Sequence, residues 1–534
     1  MSEKTSPQQR PSWLETIRRG LGSHGPGEQP VVPVTVEVST HGWQIIGESG
    51  LQEDVREKAA GAIGHDLEAL GIPGQPKVVL EPVPGASDDL RLRVHGRLCR
   101  VPAEHVAEMV RRLAGPECSA VFELPAEHIG AGVAGFCTAA MHRRPSLLLG
   151  DEQLRGYRDT LGRTGTPRAD LAWPPASQRL REIVAPVLDV GVGIGDTSVV
   201  SAIVGAGELD AVPSALIAER LIDKLRLPAV HIRLDGQTLR WLTTQDTEPT
   251  DAFVRLREEL YAESGALFPD FAFSESAGSP PRTVTFGLNS LVTPPVRLPD
   301  HHPLQAVAGC LRTALREYRG WFFCMSVLQD RLDQLRFACP DLVAAIEDRY
   351  PLDWMTAVGR ALFREEVPTP RLKTILEHLL DLGPADDAVD MVRFSESAAA
   401  YARPATGSLP EPRNVVCYLR RRSNEQLEET VLIAQYGRVL MLAPEVQVMA
   451  AELMAQGGQP DGQQAEIIAD AVRHQLAGTA GNVCLAAPSV PMRSLVRELL
   501  EPEFPLVPVV ATSELGTLGA RLLGEDRGTT LTRG

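Results

Sequence analysis

Two stretches of this chain match each other without a gap at a spacing of 174 residues. That self-similarity constrains the fold more than any local motif, because a repeat of this length must build the same supersecondary unit twice. His128 to Leu161 aligns with His302 to Leu335. His128 falls on His302, Val133 on Val307, Gly135 on Gly309, Ala140 on Ala314, Leu154 on Leu328, Asp159 on Asp333 and Leu161 on Leu335. Leu147-Leu148-Leu149 falls opposite Trp321-Phe322-Phe323, so the apolar pattern repeats even where identity does not. Upstream, Val34 to Val38 alternates as a strand, and Gln52 to Leu70 has helical periodicity and stops at Gly71-Ile72-Pro73. Lys77 to Leu80 and Leu90 to Val101 read as further strands, and Ala103 to Leu113 as a helix. In the second copy, Val187 to Gly191 reads as the counterpart of the Val34 strand. Ala252 to Ser264 answers the Gln52 helix, and Arg282 to Leu298 the strand region. Ala229 to Thr243 reads as an extra hairpin turning at Asp235-Gly236.

Beyond the second copy the chain is helical from Pro340 to about Asp381. A stretch rich in Ala, Pro, Gly and Ser, Ser397 to Pro412, then leads into a last α/β unit. There Val415 to Arg420, Thr430 to Gln435, Val439 to Leu442, Val483 to Ala486 and Val507 to Val510 read as strands. Pro444 to Met454, Gly462 to Leu476 and Met492 to Leu500 read as helices. The expected fold class is therefore mixed α/β (α+β) and multidomain: two related α/β units, a helical subdomain and a C-terminal α/β subdomain. The expected boundaries are a tail over 1–30, units over 31–165 and 186–340 with a linker helix over 166–185, a helical part over 341–395, an α/β part over 410–520 and a disordered tail over 521–534. Within the first tail, Trp13, Leu14, Ile17 and Leu21 fall on one helical face before the breaker run Gly22 to Pro30.

With 534 residues, 43% apolar and 23% charged, the chain has ample material for buried cores, and wholesale disorder is excluded. A formal net charge of −16, with lysine only at Lys4, Lys58, Lys77, Lys224 and Lys373, excludes a surface that tracks nucleic-acid phosphates. No window reaches the roughly 18 to 20 apolar residues of a membrane span, and the polar start Met1 to Pro7 lacks the pattern of a signal peptide. Eight cysteines never fall in a Cys-x-x-Cys pair and mostly sit in apolar runs, which reads as buried free thiols in a reducing cytoplasm.

A search for chemistry finds no catalytic set. Gly191-Val192-Gly193-Ile194-Gly195-Asp196 has the glycines of a phosphate loop but neither its lysine nor its spacing, and a tight strand exit is the favoured reading. His301-His302 are adjacent, but their partner in the other copy is the lone His128, which favours a helix-start role over zinc ligation. Asp386, Asp387 and Asp390 cluster beside Gly383-Pro384 as a solvated turn. Arg420-Arg421-Arg422, at the end of an expected strand, reads as a charged edge that discourages aggregation. No cofactor, metal or catalytic residue is assigned.

One run ties the chain to a known family. Val358 to Leu380 reads as a helix, a stop at Val367-Pro368, a Thr369 cap with Pro370 at the first helical position, and a second helix. It resembles a helix pair in the cytoplasmic domain of the FHIPEP family, the export-gate proteins of flagella and type III secretion, whose pattern runs in outline LLREGV-x-IRDLRTILEAL. Val327 to Leu332 with Pro340 to Val343, Leu442 to Glu445, Ala487 to Arg497 and Phe504 to Leu515 resemble other landmarks of that family in the same order. With the second copy the resemblance covers roughly residues 186–520. The family's multi-spanning membrane domain has no counterpart in this sequence, the front of the domain is duplicated, and Arg413 to Gln435 adds strand-like sequence. Channel activity is therefore not carried over.

The resemblance implies a soluble, non-enzymatic cytoplasmic platform that oligomerises, as a ring, and docks export substrates or their chaperones. It has no nucleic-acid partner and no membrane span of its own, and any membrane association is peripheral, through a larger complex. Because the family's segment before this domain bridges to a neighbouring subunit, Trp13, Leu14, Ile17 and Leu21 are expected to dock on another protomer. The alternative is a stand-alone regulatory or defence-system component that uses the same fold to hold a protein partner. A third reading is an enzyme whose site gathers His301, His302 and the Asp386 cluster.

Overall fold

The structure, a computed structural model, describes residues 30–83, 90–99, 101, 103–114, 117–164, 175–205, 212–227, 229–244, 249–264, 268–276, 281–299, 303–364, 372–382, 409–410, 412–424, 438–455, 462–476, 483–500, 504, 507–515 and 530–531. The first unit opens on β1 (Val31–Ser39), whose Val32, Val34, Val36 and Val38 are buried. Such β-branched side chains suit a pleated, half-buried surface. Ser39 ends the strand and caps α1 (Thr40–Glu48), its Oγ accepting the Gly42 N–H at 3.1 Å. Helix α2 (Gln52–Leu70) buries the stripe Val55, Ala59, Ile63, Leu67 and Leu70 and ends at Gly71 in the left-handed conformation, φ 68°. Strand β2 (Gln75–Val83) then returns parallel to β1, while β3 (Leu90–Val94) and β4 (Arg97–Cys99) continue antiparallel. The sheet order is β2-β1-β3-β4. Three helices follow, α3 (Ala103–Ala114), α4 (Ala126–Arg143) and α5 (Asp151–Thr164), then α6 (Ser177–Leu188), α7 (Thr197–Val204) and α8 (Ser214–Leu225).

The second unit repeats the order of the first with two differences. Strand β5 (Ala229–Leu234) leads into α9 (Gly236–Thr244) and α10 (Pro249–Ser264), then β6 (Asp270–Glu275), β7 (Thr283–Leu288), β8 (Leu291–Val292) and β9 (Val296–Arg297). Its order, β6-β5-β7-β8 with β9 also on β7, keeps every strand sense: β6 is parallel to β5, and β7 is antiparallel. His95 and Asn289 turn the third strand of each sheet with positive φ, 50° and 53°. Helices α11 (Pro303–Glu317) and α12 (Met325–Ala338) then correspond to α4 and α5. The short 3-10 turns between them, Pro145–Leu148 and Arg319–Trp321, begin at equivalent positions.

Two expectations about this unit are corrected. Val187 to Gly191 is not a strand: Val187 and Leu188 end α6, and the chain then turns. Ala229 to Thr243 is not an extra hairpin but the counterpart of β1 and α1. Asp-Gly is a strong hairpin signal, yet Asp235 acts here as Ser39 does. Its carboxylate accepts the N–H groups of Gln237 and Thr238, both at 3.0 Å, and so starts a helix. The pieces without a counterpart are α3 in the first unit and β9 in the second.

The helical layer comprises α13 (Pro340–Arg349), α14 (Leu352–Arg364), α15 (Leu372–Asp381) and α16 (Pro412–Asn424). Val415 to Arg420, expected as a strand, lies within α16; Val415, Val416 and Leu419 are its buried face. The C-terminal unit is built of β10 (Arg438–Met441), α17 (Pro444–Ala455), α18 (Gly462–Leu476), β11 (Val483–Ala487), α19 (Val490–Leu500), β12 (Val509–Ala511) and β13 (Thr530–Leu531), with order β12-β11-β10-β13 and β10, β11 and β12 parallel. The fold class is thus the mixed, multidomain α/β arrangement expected, with two related units. A single apolar cluster runs from Val32 in β1 to Leu419 in α16, whereas the C-terminal unit packs around its own clusters. No helix among the described residues is long and apolar enough to cross a membrane.

Candidate functional site

The residues singled out by sequence fall in three groups. Trp13, Leu14, Ile17 and Leu21, His301 and His302, the Asp386 cluster and the expected strand Thr430 to Gln435 lie outside the described residues. His128 is exposed in the first turn of α4, its N–H donating to the Pro125 carbonyl at 2.8 Å. No group of three His, Cys, Asp or Glu side chains among the described residues is placed to hold a metal ion.

The glycine run Gly191 to Gly195 is a joint. It leaves a helix, not a strand, and its backbone is already committed. The Gly193 N–H donates to Ser290 Oγ at 2.9 Å, the Ile194 N–H to the Leu70 carbonyl at 2.8 Å, and the Ile194 carbonyl accepts Tyr157 Oη at 2.8 Å. The ring of Trp321 covers Gly191, which sits at φ 67°. Those donors are therefore turned to the protein itself, not to a phosphate. The run clamps the end of α2 in the first unit to the β7–β8 turn of the second.

Arg420 corrects the expectation of a solvated edge. It is 1% exposed, as are Glu514 and Arg493. Its Nη1 donates to Glu514 Oε2 at 2.8 Å and to the Val509 carbonyl at 3.1 Å. Arg493 Nε lies 3.5 Å from Glu514 Oε1, and Asn424 Nδ2 donates to the Glu514 carbonyl at 2.9 Å. The group pins α16 to edge strand β12. A helical reading of Val416, Arg420 and Asn424 at i, i+4 and i+8 is the sequence signal that finds it. Arg421 and Arg422 are part-exposed, as first expected, and Arg422 pairs with Asp381 at 3.4 Å.

Further ties cross between units. Arg360 in α14 grips Glu219 of α8 with both arms, at 2.8 and 2.7 Å, and also donates to the Gly320 carbonyl. Arg93 of β3 reaches Glu37 of β1 and Glu466 of α18, the second through two bonds of which Nη2 to Oε2 is 3.0 Å. A small apolar cavity of about 30 Å³ lies among α12, α14 and α15, lined by residues such as Phe323, Met355, Leu362 and Leu376. Arg331 is the one charged residue in that lining. Burial pushes the Cys99, Cys137 and Cys484 thiols up to about 12, so these are packing groups and not nucleophiles. What the described residues supply chemically is a set of rigid joints.

No family model matches the chain. Protein hrpC2 of Xanthomonas euvesicatoria is 26% identical over 194 residues, 35% of this chain, and the chain spans only 26% of that protein. Among solved structures, the Chlamydia pneumoniae CdsV and CdsO complex aligns with TM-score 0.43 at 18% identity, over 55% of this chain and 97% of that one. The Shigella flexneri MxiA protein aligns with TM-score 0.40 at 14% identity, over 55% and 96%. The nonameric EscV cytosolic domain from the type III secretion system gives TM-score 0.40 at 13% identity, over 54% and 93%. The likeness is to the cytoplasmic domains of FHIPEP-type export gates. Beside that likeness stands a pair of related α/β units within one chain, held to each other by the glycine joint, with the Arg93 pair tying the first of them to the C-terminal unit.

Proposed function

We propose that this chain is a non-enzymatic docking and assembly platform in protein secretion, working in the cytoplasm as an oligomer and receiving export substrates or their chaperones. The similarity to hrpC2 over 194 residues carries the reading, and the ordered landmarks from Val358 to Leu515 support it. The buried arginine joints suit a scaffold, because they fix the orientation of units without presenting a reactive group. In this reading Trp13, Leu14, Ile17 and Leu21 dock on a neighbouring protomer. Capture with the full-length chain from its native lysate is the test. Recovery of secretion chaperones or substrates supports the proposal, while recovery of an NTPase or protease in their place favours a regulatory component. Deleting residues 1–25 and measuring mass by light scattering tests the docking face separately; an unchanged oligomer would exclude it.

A further inference from the structure

The two related sheets differ at their outer edges. In β2 the Gln75 N–H donates inward to the Pro30 carbonyl at 3.0 Å, so Lys77, Val79 and Glu81 also face β1 and the backbones of Pro76, Val78, Leu80 and Pro82 face outward. Two of those four have no N–H to offer, and the edge is closed to a further strand. In β6 the Ser276 N–H donates inward to the Leu234 carbonyl at 2.7 Å, which turns the amides and carbonyls of Phe271, Phe273 and Glu275 outward. No proline interrupts them, and β6 is the terminal strand of its sheet. The open edge is also apolar. Phe273 is 39% exposed although its ring packs edge-on against Phe253, with centroids 5.0 Å apart, and Val254 beside Phe253 is 46% exposed. Glu275 at the end of the strand and Glu258 on α10 are exposed carboxylates, while Asp270 is already paired with Arg257 at 2.7 Å.

We propose that the outer edge of β6 takes up an extended segment of a partner polypeptide as an added strand, a segment apolar at alternate positions and flanked by lysine or arginine. Outward backbone donors and acceptors can be satisfied in register only by another backbone, which fixes the partner as a β-strand. Side chains of a strand alternate in direction, so every second residue of the segment lies over Phe273 and Phe271. The acidic rim selects cationic flanks. This deepens the reading of the chain as a docking platform and rests on it: the unfolded part of a cargo protein is the kind of segment that can add as a strand.

The test uses the full-length chain and a short fluorescein-labelled peptide alternating valine and threonine between terminal lysines, followed by anisotropy and amide hydrogen exchange. The peptide is expected to bind and to protect the amides of Phe271, Phe273 and Glu275. Glu275→Pro, which removes one outward N–H as Pro82 does in β2, is expected to weaken binding about tenfold, in line with one lost hydrogen bond. Phe273→Thr, which keeps the strand, is expected to weaken it by a similar factor, and glutamate in place of the terminal lysines abolishes it. No binding, equal binding by both variants, or protection elsewhere overturns the proposal. So does a dimer that Phe273→Thr converts to monomer without peptide binding, since the edge then belongs to a second copy. Chaperone capture by the unaltered chain is read independently, so the platform reading and the β6 edge fail separately.

Discussion

Arg143 donates to Glu317 at 2.7 Å, and the two residues stand 174 apart, at the same position in the two repeated helices α4 and α11. A residue and its own counterpart are in contact. An unmodified duplicate would bring like charges together there; divergence to Arg and Glu turns repulsion into a partly buried pair, to which His105 also contributes. Arg143→Glu is therefore expected to destabilise the fold, and the swap Arg143→Glu with Glu317→Arg to recover part of the loss, as read by urea unfolding.

Gly71 makes the closest approach of backbone to backbone at the glycine joint. A Cβ there would lie 2.4 Å from the Gly195 backbone, and φ is 68°. Gly71→Ala is expected to cost about 2–4 kcal/mol, the sum of left-handed strain and overpacking. Gly50, at φ 66° with open space around it, isolates the first term: Gly50→Ala is expected to cost about 1 kcal/mol. Equal losses at the two sites in chemical denaturation would contradict the close approach.

Glu514 is shared by Arg420 and Arg493. Glu514→Gln removes a charge that two buried cations share and is expected to cost about 3–5 kcal/mol. Arg420→Met added to it is expected to cost less than the sum of the single changes, because the orphaned charge is removed. Additive effects in a thermal-unfolding cycle would mean that the three groups do not act together.

Burial lowers the pKa of His95, and burial assisted by Arg233 lowers that of His231. Between those lowered values and the unfolded value near 6.5, the unfolded chain binds more protons than the folded one. Stability is thus fully present above about pH 6.5 and falls as the pH drops through that window. His95→Asn combined with His231→Gln is expected to flatten the dependence between pH 7.5 and 5; asparagine is chosen because Asn289 holds the equivalent left-handed turn.

Cys118, Cys310 and Cys339 are partly exposed, while Cys99, Cys137 and Cys484 are buried with thiols near 12. Brief alkylation at pH 7.5 followed by mass spectrometry is expected to label only members of the first group. Rapid labelling of Cys137 would show that α4 opens readily.

Elements with an unambiguous period were legible from sequence: α2 through Val55, Ala59 and Ile63, and β1 through its alternate valines. The errors have local causes. Val415-Val416-Cys417-Tyr418-Leu419 is rich in residues that favour strands, yet in α16 packing against the helical layer decides the outcome. Asp235-Gly236 is equally good as a turn and as a helix start, and only the strand pairing on either side distinguishes them. The joint made by Arg420, Arg493 and Glu514 was missed because its members lie far apart in sequence, and a run of arginines looks solvated while its segment is read as a strand and not as a helix with Arg420 on the buried face.

The apolar cluster from Val32 to Leu419 has a thermodynamic consequence. Stretches that look like separate modules along the chain share one interior, so none can lose its packing without exposing its neighbours. Calorimetry should show a single cooperative transition for everything up to α16. The C-terminal unit, with its own interior and mainly polar ties, is expected to melt in a second one. The chain would then have two melting units, and the duplicated parts would unfold together.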